Sequence, residues 1–144
     1  VKLLVTGGAG FIGSNFVFYW LDHHPQDKVI VYDALTYAGN RATLAPVEKL
    51  IDFIEGDVTD ARMVEEVVGG HKVDVVVHFA AESHNSLAIL DPGRFVRTNV
   101  LGTQTLLEAC RKVGVQRYHH ISTCEVYGDL ALDSPDSFKE DSPY

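Results

Sequence analysis

Residues able to do chemistry cluster first at Thr6-Gly7-Gly8-Ala9-Gly10-Phe11-Ile12-Gly13. Glycines 8, 10 and 13 satisfy G-x-G-x-x-G, and glycines 7, 10 and 13 satisfy the wider G-x-x-G-x-x-G form. That spacing serves a tight turn, a close backbone approach to a pyrophosphate, and close packing of a helix on a strand. A helix opening there also offers free N–H groups and the positive end of its dipole to phosphates. A glycine-rich turn alone is also an ordinary loop, so its flanks decide. Here an apolar run, Lys2 to Thr6, precedes it, and a helical pattern, Phe11 to Leu21, follows it. Gly7, Gly10, Phe11, Ile12 and Gly13 are therefore the candidate phosphate-binding residues of a dinucleotide site. Asp33 stands 20 positions past Gly13, where a carboxylate would bind ribose hydroxyls and repel a 2′-phosphate. NAD is favoured over NADP on that ground, although Asp is also a common turn starter. Asp57, in Gly56-Asp57-Val58, suits either the adenine edge or a cap for the helix near Ala61.

The elements that must position these residues alternate along the chain. Strands are expected at Lys2–Thr6, Val29–Tyr32, Ile51–Ile54, Val73–Phe79 and Arg117–Ser122. Helices are expected from Phe11 to Leu21, in a short piece from about Asn40 to Leu50, and from Ala61 to Val68, stopped by Gly69-Gly70. Pro92 suits a helix start, and Phe95 to Val113 keeps helical spacing up to Gly114. The fourth strand is apolar with little alternation, as befits a central parallel strand covered on both faces. This rhythm predicts an α/β fold, a Rossmann-type doubly wound parallel sheet with right-handed crossovers. Ala131 to Tyr144 reads as a polar loop with no closing element, so the chain reads as cut short.

Composition sets the outer bounds. The chain has 144 residues, 46% hydrophobic and 22% charged, which suits one globular domain. A net charge of −8 without any basic patch argues against a nucleic-acid partner. No apolar run reaches the roughly 18 residues that cross a bilayer, and Leu3 to Thr6 is too short for a signal core. Cys110 and Cys124 have no metal-ligand spacing and read as reduced thiols of a cytoplasmic protein. His119 and His120 read as strand packing and surface, His23 and His24 as solvated helix-end residues, and Trp20 as packing on the core side of its helix.

Further motifs carry a resemblance over nearly the whole chain. They are Tyr32-Asp33-Ala34-Leu35-Thr36-Tyr37-Ala38-Gly39-Asn40, Gly56-Asp57-Val58-Thr59-Asp60, His78-Phe79-Ala80-Ala81-Glu82-Ser83-His84, Thr98-Asn99-Val100-Leu101-Gly102-Thr103 and Ser122-Thr123-Cys124-Glu125-Val126-Tyr127-Gly128. With the glycine turn, they make the chain resemble the extended short-chain dehydrogenase/reductase family, closest to its dTDP-glucose 4,6-dehydratase branch. The resemblance implies bound NAD, a sugar-nucleotide substrate (dTDP-glucose first), a homodimer and a substrate subdomain beyond residues 1–144; the apolar stripe of Phe95–Val113 suits either a dimer face or packing on the sheet. It implies oxidation at C4, loss of water across C5–C6 and hydride return to C6. It assigns Asp57, Val58, Ala80, Ala81 and Asn99 to the cofactor beside the glycine turn and Asp33, and Ser83, His84 and Thr123 to the substrate. Thr123 would bond the C4 oxygen and Glu125 would take the C5 proton. Without the resemblance these two are an ordinary strand exit, two residues apart and able to point the same way.

Three departures from the family pattern bear on the chemistry. The pattern Ser-Thr-Asp-Glu has its acid, an Asp, where this chain has Cys124. A thiol with an ordinary pKa of about 8.5 is a poorer proton donor than a tuned carboxylic acid. After His84 the usual charged stretch is replaced by Asn85-Ser86-Leu87-Ala88-Ile89 at the sugar pocket. No Tyr-x-x-x-Lys pair occurs, so residues 1–144 by themselves are not expected to turn over. The alternatives are a nucleotide-sugar 4-epimerase, a uronate decarboxylase, or an NAD-binding protein without catalysis.

Overall fold

The computed structural model describes all residues from Val1 to Tyr144. Five parallel strands form one sheet: β1 (Lys2–Thr6), β2 (Lys28–Asp33), β3 (Ile51–Glu55), β4 (Val75–His78) and β5 (Arg117–His120), in the order β3-β2-β1-β4-β5. The chain winds outward from β1 to β3, then returns across to β4 and winds the other way. The order reverses beside β1, with Leu3 to Thr6 registered against Val75 to His78 on one side and Lys2 to Thr6 against Lys28 to Tyr32 on the other. A crevice beyond the carboxyl ends of the strands at such a reversal is where these folds take ligands.

Strand alternation builds two cores. Leu3, Val5, Val29, Val31 and Val77 face α1 (Phe11–His23), where Val17 is fully buried and Phe16, Phe18 and Trp20 pack against them. Leu4, Ile30, Tyr32 and Val76 face the other way, onto α2 (Ala61–His71) and the long helix after β4. Val64, Val67, Val68, Leu106, Ala109 and Cys110 fill that side. Each buried Val, Leu or Ile is worth about 1.5–3 kcal/mol over leaving it in water. The sheet is therefore covered on both faces, as the doubly wound expectation requires.

Several boundaries differ from the sequence reading. Gly69-Gly70 does not stop α2, which runs to His71 and ends at Lys72 in the left-handed region (φ 54°). Both glycine Cβ positions are nearly or wholly open, so the helix passes through them without a clash. The short helix expected from about Asn40 to Leu50 is present as a 3₁₀ helix, Arg41–Leu50, containing Pro46 and capped by the Asn40 side chain accepting from Ala42 N–H. β4 and β5 are shorter than expected. A short α3 (Asn85–Leu90) was unexpected. After it, α4 (Pro92–Phe95) starts at Pro92 as expected, with Asp91 accepting from Arg94 N–H, and α5 (Thr103–Val113) ends at Gly114. Between them Val96–Gly102 widens into a π-helical segment, a feature that often marks functional sites. Gly102 lets that segment approach α2's leading loop, since a Cβ there would stand 2.6 Å from a Val58 methyl.

Candidate functional site at the strand ends

The glycine turn is built by contacts that no larger residue tolerates. Gly7 is left-handed (φ 68°), and a Cβ on it would lie 2.6 Å from Ala80 N. A Cβ on Gly13 would lie 2.2 Å from the carbonyl oxygen of Gly7. The first helical turn thus sits directly on the turn that precedes it. Gly10 N–H donates to the Gly7 carbonyl at 3.1 Å, and Ser14 N–H to the Gly10 carbonyl at 3.0 Å. The N–H groups of Phe11, Ile12 and Gly13 have no acceptor in the protein. No side chain caps the helix and no acid stands in its first turn. Three converging donors and an uncompensated dipole end suit a pyrophosphate.

Asp33 is buried at the end of β2 and ties two loops together. Ala9 N–H donates to its Oδ2 at 2.9 Å, and Leu35 N–H to its Oδ1 at 2.8 Å. Asp33 is thus a turn starter whose second oxygen also holds the glycine turn. Asn40 N–H adds a bond to the Ala9 carbonyl at 2.9 Å, so the loop after β2 is strapped onto the glycine turn. Asp57 does not cap α2; Asp60 does, accepting from Met63 N–H. Asp57 instead accepts from the N–H and hydroxyl of Thr59, and its own carbonyl accepts from the buried Tyr32 hydroxyl. Burial, with Asp60 and Asp57 nearby, pushes that Tyr32 hydroxyl up to about 12. The Asp57 carboxylate stays exposed at the strand ends, with Val58 buried behind it.

The β4 loop is held from below and from the side. His78 Nδ1 lies 2.6 Å from the Thr6 hydroxyl and Nε2 lies 3.1 Å from the Thr103 hydroxyl. Thr6 Oγ1 also accepts from Ala80 N–H at 3.4 Å. That pattern assigns the Thr6 proton to Nδ1 and a neutral ring donating from Nε2. Desolvation, aided by His120, lowers His78 to about 4. Asn99, in the π segment, brackets Glu82: its Oδ1 accepts from Glu82 N–H at 2.8 Å and its Nδ2 donates to the Glu82 carbonyl at 2.9 Å. Asn99 therefore already shapes the loop that carries Ala80, Ala81, Ser83 and His84. Ser83 and His84 are both exposed, at the approach to α3.

Thr123, Cys124 and Glu125 do not continue β5. Thr123 caps a 3₁₀ turn (Cys124–Tyr127), its hydroxyl accepting from Glu125 N–H at 3.2 Å. The expectation of two side chains on one face of a strand end is thereby corrected, because the capping bond turns the chain. The turn still gathers the three side chains, with the Cys124 thiol 3.8 Å from a Glu125 carboxylate oxygen. The Thr123 hydroxyl, then Glu125's own backbone and the Cys124 thiol, hold the Glu125 carboxyl below the usual carboxylate range. Ser122, Thr123, Cys124, Val126, Tyr127 and Tyr144 line an open cleft there. No three His, Cys, Asp or Glu side chains are grouped to hold a metal ion. Glu82, Tyr37 and Arg94 form a linked group at this end that sequence reasoning missed. The signal available was Glu82 itself, an acid within an otherwise small-residue loop.

The reversed sheet order and the glycine turn strapped to Asp33 define a dinucleotide-binding α/β domain of the extended short-chain dehydrogenase/reductase type. The chain belongs to the NAD dependent epimerase/dehydratase family, whose model matches residues 3–144. It is 57% identical over 144 residues to dTDP-glucose 4,6-dehydratase of Mycobacterium tuberculosis, covering 100% of this chain and 43% of that protein. Among solved structures it is similar to DesIV, a dTDP-glucose 4,6-dehydratase from Streptomyces venezuelae with NAD bound, at TM-score 0.91 and 50% identity over 99% of this chain and 45% of that one. The UDP-glucose 4-epimerase of Thermus thermophilus, in complex with NAD, matches at TM-score 0.88 and 34% identity over 99% of this chain and 44% of that one. The chain thus spans less than half the length of the relatives it matches.

Proposed function

We propose that residues 1–144 are the NAD-binding part of a sugar-nucleotide 4,6-dehydratase acting on dTDP-glucose. The observation that carries the cofactor is the set of unsatisfied N–H groups at Phe11, Ile12 and Gly13 above a glycine cradle that any Cβ would fill. Those groups, with Gly7 and Gly10, would hold the pyrophosphate. Asp33 and Asp57 would face the adenosine, with Val58 behind the adenine, and Ala80, Ala81 and Asn99 would line the path toward the nicotinamide. Bound there, NAD supplies reversible hydride acceptance. The dehydratase reading is supported by the 57% identity and by the Thr123–Glu125 spacing that the family resemblance implies.

The chain's own residues then divide the elimination. The Thr123 hydroxyl bonds the C4 oxygen of the sugar, and Ser83 and His84 flank the substrate. Glu125, kept ionised below the usual carboxylate range, takes the C5 proton. The Cys124 thiol gives its proton to the departing C6 hydroxyl, so the C6–O bond breaks with loss of water. Protonated Glu125 holds the proton that C5 must recover when C6 is reduced, and the thiolate, 3.8 Å from the Glu125 carboxyl, regains its own proton from solvent. The exposed Val96, Val100 and Leu107 on the helix after β4 suit the face of a homodimer, and the expected compartment is the cytoplasm. No helix is long and apolar enough to cross a membrane. Cys124 in the acid position is what keeps an epimerase of the same family as the second reading.

Mass spectrometry of dTDP-glucose incubated with the full-length protein and NAD tests this. Loss of one water with NAD unchanged at the end is the expected result. Intact substrate, with NAD binding demonstrated, would overturn dTDP-glucose dehydration; a C4 epimer would establish the second reading.

A further inference from the structure

Glu82 is a carboxylate with its side chain 5% exposed, and the proposed chemistry does not use it. Its charge is answered from two directions. Arg94 Nε, on α4, donates to Oε1 at 2.6 Å, and the Tyr37 hydroxyl, on the loop after β2, donates to Oε2 at 3.1 Å. The Arg94 guanidinium lies 5.1 Å from the centre of the Tyr37 ring, so the three side chains close a triangle. Desolvation and the bond to Glu82 raise the Tyr37 hydroxyl, keeping it a donor. Asn99 fixes the Glu82 backbone from the π segment.

The placement of this triangle gives it a meaning beyond packing. Tyr37 follows β2 and Glu82 follows β4, and the strand between them is β1. The segment that follows β1 is the glycine turn. A Cβ on Gly7 would strike Ala80 of the β4 loop, and one on Gly10 would lie 4.0 Å from the Ala38 carbonyl of the β2 loop. The two loops therefore flank the phosphate turn, and the Tyr37–Glu82 bond joins them. The β2 loop is otherwise anchored near its ends, through Asp33 and Asn40, while Tyr37 at its tip is 54% exposed. Its hydroxyl adds little to the fold and ties the tip to the far side.

We propose that Tyr37, Glu82 and Arg94 are positioning residues forming a clasp across the dinucleotide crevice, which slows release of bound NAD. The inference rests on the NAD reading above. An enzyme that takes and returns its hydride within one turnover gains by never releasing the cofactor, and a tie between the flanking loops serves that need.

The test is the NAD dissociation rate of the full-length protein, followed by displacement with a fluorescent NAD analogue, alongside melting temperature without NAD. Tyr37→Phe and Arg94→Gln are each expected to speed release about tenfold, the loss of one charge-assisted hydrogen bond. The double variant should fall well short of the product of the two, and Arg94→Lys should recover part of the slow release. Melting without NAD should stay within about 2 °C for Tyr37→Phe, because its ring remains. A lowered melting temperature with unchanged release would make the triangle a structural ion pair and overturn the clasp. Unchanged release in a protein that binds NAD overturns the clasp alone, whereas a wild type that binds no NAD overturns the cofactor reading and the clasp with it.

Discussion

The glycine turn and the Thr123–Glu125 turn sit at the same edge of one sheet and are built in opposite ways. The glycine turn is fixed by its surroundings: Asp33 from β2, Asn40 from the next loop, and Ala80 from the loop after β4 all touch it. The Thr123–Glu125 turn is fixed by itself. Its polar bonds run between Thr123, Cys124 and Glu125, and all three are exposed. A preorganised cradle tolerates almost no change of shape, whereas a self-capped exposed turn accepts new side chains at little cost. That difference explains how a thiol can stand at position 124 without disturbing the glycine turn.

Substitution at the cradle is the strongest way to press on this contrast. Gly13→Ala would force a Cβ to within 2.2 Å of a backbone oxygen that has no room to withdraw. We expect a stability loss of about 2–3 kcal/mol, read by urea denaturation, and NAD affinity lowered more than about 100-fold. A well-folded variant with ordinary NAD affinity would break the comparison. Acid presses on the strand beneath. His78 is held to about 4 against an ordinary 6.5, so the unfolded chain takes up a proton that the fold refuses. Stability should fall as pH drops from 6.5 toward 4 and level off below that, by roughly 3 kcal/mol in total. His78→Asn should flatten that part of the pH profile.

Asp33→Ala removes the acceptor of two N–H groups and should cost about 2 kcal/mol, with NAD affinity reduced about tenfold. Urea denaturation and titration calorimetry read the two effects separately. At the other turn, Cys124→Ser should change stability by less than about 0.5 kcal/mol, since the thiol is exposed. Cys124→Asp should be as harmless to the fold and should raise the rate of water loss, read by mass spectrometry, if the thiol serves as a weak acid. A large stability loss from either variant would mean that the two turns are not so different.

Legibility in the sequence follows the same contrast. The five strands, the doubly wound sheet and the tight glycine turn could be read because apolar runs and glycine spacing record burial and close approach directly. The place of Asp33 at the end of β2 could be read because its distance from the glycines is set by one βαβ unit. The π segment could not, because its side-chain spacing matches an ordinary helix over so few residues. Gly69-Gly70 misled because glycine weakens a helix without ending it when packing by Val64, Val67 and Val68 holds the face. The cap of α2 could not be assigned because Asp57 and Asp60 both stand just ahead of it, and only geometry tells which carboxylate reaches Met63 N–H. The Tyr37–Glu82–Arg94 triangle joins residues 45 and 12 positions apart, a separation that no local pattern encodes.

Titration calorimetry of the full-length protein with NAD and, separately, NADP tests the central claim most directly. Asp33, proposed to meet the ribose beside the glycine turn, predicts tight binding of NAD and at least about tenfold weaker binding of NADP, whose 2′-phosphate would meet a carboxylate. Equal or tighter binding of NADP, or no binding of either, would contradict the account.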